Sequence, residues 1–265
     1  MTQKQKERKK TDMKRVRKVA KYLLEYEIIK TPQSPHTIHH PFTGHGLFIL
    51  PGDPPFTMTD ITASTENFER WKDWMRCRFD EADSAFDIGL MVHHPYRFIF
   101  VAYTEEYLSD VEFAKLLHFA WFGSQTISDE EVVEPCDLIE MFQRAKAEYL
   151  MRPEERSILT QLPDEVIIYR GVHSNSVFGD EGMSWTLKEE YAAHFAMLGR
   201  YRARIYQATI RKEDILALFL KGDGVEIVVD PKKLQEITIY CSILQQPEDE
   251  VVTENDSEGV MQYDF

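Results

Sequence analysis

Residues Leu162 to Asp230 read LPDEVIIYRGVHSNSVFGDEGMSWTLKEEYAAHFAMLGRYRARIYQATIRKEDILALFLKGDGVEIVVD, and this stretch decides the fold. VIIY at 166–169, MSWT at 183–186, ARIYQATI at 203–210, LALFL at 216–220 and VEIVVD at 225–230 are short β-branched and aromatic runs, the composition that suits a pleated, half-buried surface. EITIYCSI at 236–243 adds a sixth. Tight turns such as KGDG at 221–224 punctuate them, and LKEEYAAHFAML at 187–198 is the one long helical pattern in their midst. Short strands joined by tight turns predict a mixed or antiparallel sheet. In VEIVV, alternation puts Val225, Ile227 and Val229 on one face and leaves Glu226 and Val228 on the other.

Upstream the pattern is mostly helical. Thr11 or Asp12 can cap a helix, and Val16, Val19, Ala20, Leu23, Leu24 and Ile28 form one apolar stripe that ends before Pro32. TENFERWKDWMRCRFDE at 65–81 predicts a helix that turns Phe68, Trp71, Trp74 and Met75 to the core. Asp110 caps a helix running to about Gly123; Glu134-Pro135 opens another to about Met151; Pro153 begins a short one that stops before Pro163. GLFIL at 46–50 and FIFVAYT at 98–104 read as strands. The expected fold class is α+β, with a helical region over 1–133, a β-rich domain over 134–246 and an acidic tail over 247–265.

With 43% hydrophobic and 29% charged residues the chain has the composition of a soluble globular protein. No apolar run approaches the roughly 18 residues of a membrane helix. Cys77, Cys136 and Cys241 lie far apart with no CxxC pair, which predicts a reducing, cytoplasmic setting and packing roles for the thiols. Residues 1–21 carry a balance of +8, so the other 244 carry −22 of the net −14. Such a body repels phosphate backbones, and any nucleic-acid contact falls to the basic arm or a local patch. The basic face of the first helix is either solvated surface or a phosphate-tracking arm. His36, His39, His40 and His45 crowd one polar loop, but their irregular spacing reads as solvated rather than metal-binding.

Nucleotide and hydrolase fingerprints are missing: there is no GxxxxGK[ST], GxGxxG, HExxH or GxSxG. What stands out is three polar residues where apolar strands would continue: Arg170 closing VIIY, Ser184 inside MSWT and Glu226 inside VEIVV. Singly, each has a bland structural role: a surface ion pair, a turn hydroxyl, a wet strand face. Together, the order Tyr-Arg-Gly, then Ser-Trp-Thr before a helix, then a strand glutamate before Val-Asp-Pro, resembles the ADP-ribosyltransferases of the arginine–serine–glutamate class, which include bacterial toxins and phage-encoded enzymes.

The resemblance covers about residues 134–244. It implies a split-sheet core and NAD+ as co-substrate, with no metal. By it, Arg170 holds the NAD pyrophosphate or ribose, and Gly171 lies where backbone meets the nicotinamide amide. Ser184-Trp185-Thr186 matches the serine-x-serine/threonine step, with Ser184 holding the catalytic glutamate. Phe195 walls the nicotinamide, and Glu226 is that glutamate. Many members carry Gln or Glu two residues before it to engage the acceptor; here the position is Gly224, which leaves Lys221 and Asp223 of the same loop as acceptor contacts.

The residue types suit the chemistry. Breaking the nicotinamide–ribose bond builds positive charge on the sugar, as in glycoside hydrolysis, and a carboxylate at the 2′-hydroxyl stabilises that charge. A guanidinium fork matches a diphosphate. The expectation is transfer of ADP-ribose to a macromolecule, with an RNA or DNA base preferred over protein because of Gly224 and the basic arm. Water as acceptor would make the chain an NAD glycohydrolase, and a non-catalytic binding module is the third reading. An active enzyme of this kind would harm its own cell, so the resemblance also implies a toxin–antitoxin or antiviral setting with a neutralising protein partner.

Overall fold

The computed structural model describes residues 10–31, 34, 37–123, 135–173, 179–197, 203–222 and 224–243. The basic stretch before residue 10, His36, Glu134, Asp223 and the acidic tail lie outside the described residues. Within them the fold is mixed α+β, with helices first and a six-stranded sheet last.

Helix α1 (Met13–Leu23) is capped by Asp12, whose side chain accepts the Arg15 N–H, and it buries Val16, Ala20 and Leu23. It stops short of the expected end. Glu25 is drawn instead to Lys72 and Arg76 of α2 (Thr65–Glu81), and the chain turns into β1 (Ile29–Lys30). Arg17 donates to the carbonyls of Phe79 and Ala82, capping the end of α2, and Lys21 pairs with Asp80. Two cations of the basic face are therefore committed to α2.

The intervening segment forms β2 (Thr37–His40), β3 (Thr43–His45), β4 (Leu47–Phe48) and β5 (Thr59–Asp60), where GLFIL predicted a single longer strand. His40 departs from expectation. Its ring is fully buried against Phe68 and Trp71 of α2 rather than solvated. The Phe42 N–H donates to Nδ1, which places the ring proton on Nε2, facing the Leu24 carbonyl. Burial pulls its pKa down to about 4.

Helix α3 (Ala85–Met91) starts with a capping box at Ser84 and Asp87. FIFVAYT is not a strand but helix α4 (Arg97–Thr104). A continuous apolar run does not distinguish a buried strand from a buried helix; here it packs mainly against the helices α1 and α5 (Asp110–Gly123), and helical hydrogen bonds are satisfied internally. The helix expected to reach Met151 breaks into α6 (Pro135–Arg144) and α7 (Ala147–Leu150). Around the break Arg144 binds Glu105 and Lys146 binds Asp110, at extended Lys146 backbone. Helix α8 (Pro153–Gln161) lies where expected. All three cysteines are exposed; Cys77, for instance, falls off the buried Trp71–Met75–Phe79 stripe of α2, so the packing role is corrected.

The main sheet has the order β11-β8-β6-β7-β10-β9, built from β6 (Glu165–Val172), β7 (Ser184–Thr186), β8 (Ala203–Arg211), β9 (Ile215–Lys221), β10 (Gly224–Val229) and β11 (Gln235–Ile243). Every pairing in it is antiparallel. Strands β6 and β8 pair along eight positions, whereas β6 and β7 meet at the single pair Tyr169–Thr186. The sheet is thus two three-stranded halves that part beyond that pair. Helix α9 (Glu189–Ala196) covers one face, and buried side chains from α1 through β10 form one contiguous cluster on the other. No helix among the described residues is long and apolar enough to cross a membrane.

Candidate functional site

The site is assembled where the two half-sheets part. Glu226 lies opposite Thr186 and one step diagonally from Ser184, which pairs with Val228. Strand alternation therefore puts all three on one face, and Ser184 Oγ donates to Glu226 Oε1 at 2.5 Å. The hydroxyl holds the carboxylate in one orientation.

Arg170 fills the opening between β6 and β7. Its Nε donates to the Gly179 carbonyl at 2.7 Å and its Nη1 to the Ser184 carbonyl at 2.6 Å. It contacts the backbone of the serine, not its hydroxyl. Burial pulls the guanidinium down to about 10, against Glu226 and Asp180, whose negative charges push it up. At neutral pH it remains a cation within the field of the Glu226 carboxylate. The structure thus brings Arg170, Ser184 and Glu226 into one cluster.

The other predicted residues divide. Gly171 lies under α9, where a Cβ would come within 1.9 Å of the Ala192 carbonyl oxygen; only glycine allows the helix so close. Trp185 points to the opposite face from Ser184 and Thr186, is 2% exposed, and donates from Nε1 to the Gly182 carbonyl. It anchors β7 in the core instead of facing a ligand. Thr186 is buried, and its Oγ1 accepts the Lys188 N–H, tying the start of α9 to the strand beside Glu226. Phe195 is exposed at the far end of α9, its ring stacked beside His173 at the end of β6. Lys221 Nζ lies 5.9 Å from the Phe122 ring centre.

Two parts of the surroundings had no clear sequence signal. Phe219 of β9 sits directly opposite Glu226 and packs on His118 and Phe122 of α5, so the helical region backs the carboxylate. Tyr191 of α9 covers Gly224, and its hydroxyl donates to the Lys221 carbonyl at 3.4 Å. The i, i+4 pair Tyr191 and Phe195 on a helix following Ser-Trp-Thr was the available clue. A hollow between α4 and α6, lined by Glu105, Asp137, Glu140 and Arg144 among others, is acidic and holds none of these residues. Among the described residues no three His, Cys, Asp or Glu side chains are grouped to hold a metal ion. No family model, curated protein or solved structure matches the chain.

Proposed function

We propose that this chain is an ADP-ribosyltransferase that takes ADP-ribose from NAD+ and delivers it to a macromolecular acceptor, a nucleic-acid base in preference to a protein side chain. The observation that carries this reading is the Ser184–Glu226 hydrogen bond where the half-sheets part, beside a half-buried arginine. The hydroxyl bond aims the carboxylate, and the guanidinium lies beside it, an arrangement that suits a developing sugar cation. The parted half-sheets accord with the split-sheet core that the sequence resemblance implies.

In the reaction the bond from ribose C1′ to the nicotinamide nitrogen breaks, and nicotinamide leaves with the electron pair as a neutral base. Positive charge spreads over C1′ and the ring oxygen. Glu226, through the ribose 2′-hydroxyl, stabilises that charge electrostatically. The acceptor's lone pair then forms the new bond to C1′, and its displaced proton passes to solvent. Arg170 acts twice, fixing Ser184 through the backbone and supplying positive charge for the diphosphate. Gly224 offers no side chain to bind a protein guanidinium, which favours the nucleic-acid acceptor. The committed Arg17 and Lys21 leave less of the basic face of α1 for phosphate.

Labelled NAD+ offered with RNA, DNA and lysate protein, with Glu226→Gln as control, tests this. Label is expected in nucleic acid and absent with the variant. Label only in protein ends the base preference; nicotinamide release with no labelled macromolecule makes the chain a glycohydrolase. Expression should slow cell growth in the wild type and not in Glu226→Gln, the behaviour of a toxin held in check by a neutralising partner.

A further inference from the structure

An acceptor must reach the ribose carbon beside Glu226, and the neighbours of that carboxylate on its own face limit the approach. Thr186 across on β7 is 5% exposed; Phe219 across on β9 and Val228 along β10 are fully buried. Ser184 is taken up by its bond to Glu226. Along β10, two residues and about 7 Å away, the next position on this face is Gly224, which is buried beneath a side chain of α9. There the outer end of the Tyr191 ring lies over the backbone: a Cβ at Gly224 would meet Cε2 and Cζ at 2.5 Å and Cε1 at 2.8 Å. Tyr191 is half-buried, so part of this side chain stays accessible beside the end of β10 that leads to Glu226.

Helix α9 has a second seat besides this ring, where the backbone of Ala192 and Ala196 rests on Gly171. The Tyr191 hydroxyl reaches the Lys221 carbonyl, so one side chain touches both described ends of the loop that precedes Glu226. The surface it offers is uncharged, flat and aromatic, with no carboxylate at position 224 to attract a cation. Flat nitrogen heterocycles stack on such a ring.

We propose that Tyr191 is the positioning residue for the acceptor, holding a planar base against the ribose carbon so that it, and not water, takes the sugar. This rests on the transferase reading above. When the acceptor is misplaced, water attacks C1′ instead, giving ADP-ribose, nicotinamide and a proton, so cleavage continues while transfer fails.

The test measures two quantities in the same reaction of the full chain with labelled NAD+ and RNA: nicotinamide released and label fixed on RNA. Tyr191→Ala is expected to lower fixed label about tenfold or more while nicotinamide release stays within about threefold of wild type. Gly224→Ala, whose Cβ displaces the ring, should produce the same split, and Tyr191→Phe, which keeps the ring, should stay close to wild type in both. A parallel fall of both quantities in Tyr191→Ala and Gly224→Ala, or no change in either, overturns the role of Tyr191. Absence of nicotinamide release from the wild type overturns the transferase reading itself, a separate outcome.

Discussion

Ser184 has one hydroxyl proton, and it goes to Glu226. Removing it in Ser184→Ala leaves the carboxylate free to rotate; a hydrogen bond to a charged group contributes about 1.5–3 kcal/mol, so NAD+ cleavage should fall about ten- to hundredfold. Glu226→Gln keeps the shape and removes the charge. Cleavage should drop about 10²–10³-fold, with the unfolding midpoint unchanged. If Glu226→Gln cleaves NAD+ at the wild-type rate, the carboxylate has no catalytic part. Arg170→Lys tests a different property. Arg170 reaches the Gly179 and Ser184 carbonyls from two separate nitrogens, a fork that one ammonium does not reproduce, and stability should fall by about 1–3 kcal/mol in denaturant titration.

At the scale of elements, the seat of α9 and the outer edge of the sheet matter most. Gly171→Ala forces a Cβ into the backbone of α9; overpacking of this kind costs about 1–3 kcal/mol, readable as a lowered denaturant midpoint. At the free edge of β9, Glu155 Oε1 accepts the Leu220 N–H and Arg152 Nη2 donates to the Leu220 carbonyl. These two side chains, one from α8 and one from the residue just before it, substitute for a neighbouring strand ahead of the loop that leads to Glu226. Burial pushes the Glu155 carboxyl up, but the bonds from Arg152 and the backbone N–H groups of Leu220 and Arg152 outweigh it and hold it below its usual value. A depressed folded-state value stabilises fully above the unfolded carboxyl pKa of about 4.3 and is lost as pH falls through the folded one. Glu155→Gln should therefore flatten the stability profile below that pH in acid titration, and a profile identical to wild type would remove Glu155 from this role.

Over the whole molecule, acid should act earlier through His40. Its folded value of about 4 lies below the ordinary 6.5, so between those values the unfolded chain binds a proton that the folded chain refuses. Its share of the stability, on the order of 3 kcal/mol, is present above pH 6.5 and lost as pH falls toward 4. His40→Gln should shallow that slope in unfolding midpoints measured from pH 7.5 to 4.5. The larger of the two hydrophobic clusters among the described residues links this histidine region to the sheet through α5, whose His118 and Phe122 pack on Phe219 behind the proposed catalytic carboxylate. Phe219→Ala should consequently cost about 3–5 kcal/mol in denaturant titration and reduce activity, although Phe219 touches no ligand in this scheme.

The six strands of the sheet, α2, α5 and α8 were legible from sequence because their patterns are local: alternation, a helical stripe, a proline at a start. The apolar run at 98–104 was not, because only its neighbours decide whether it needs strand partners or bonds to itself. Arg170, Ser184 and Glu226 were legible as polar interruptions in apolar strands. Their grouping follows from which strands pair and where pairing stops. The contact of Arg170 with a carbonyl rather than a hydroxyl, the burial of His40 and the placing of Tyr191 over Gly224 depend on elements far apart in the chain. Spacing along a sequence carries no information about such approaches; the close packing of tertiary structure decides them.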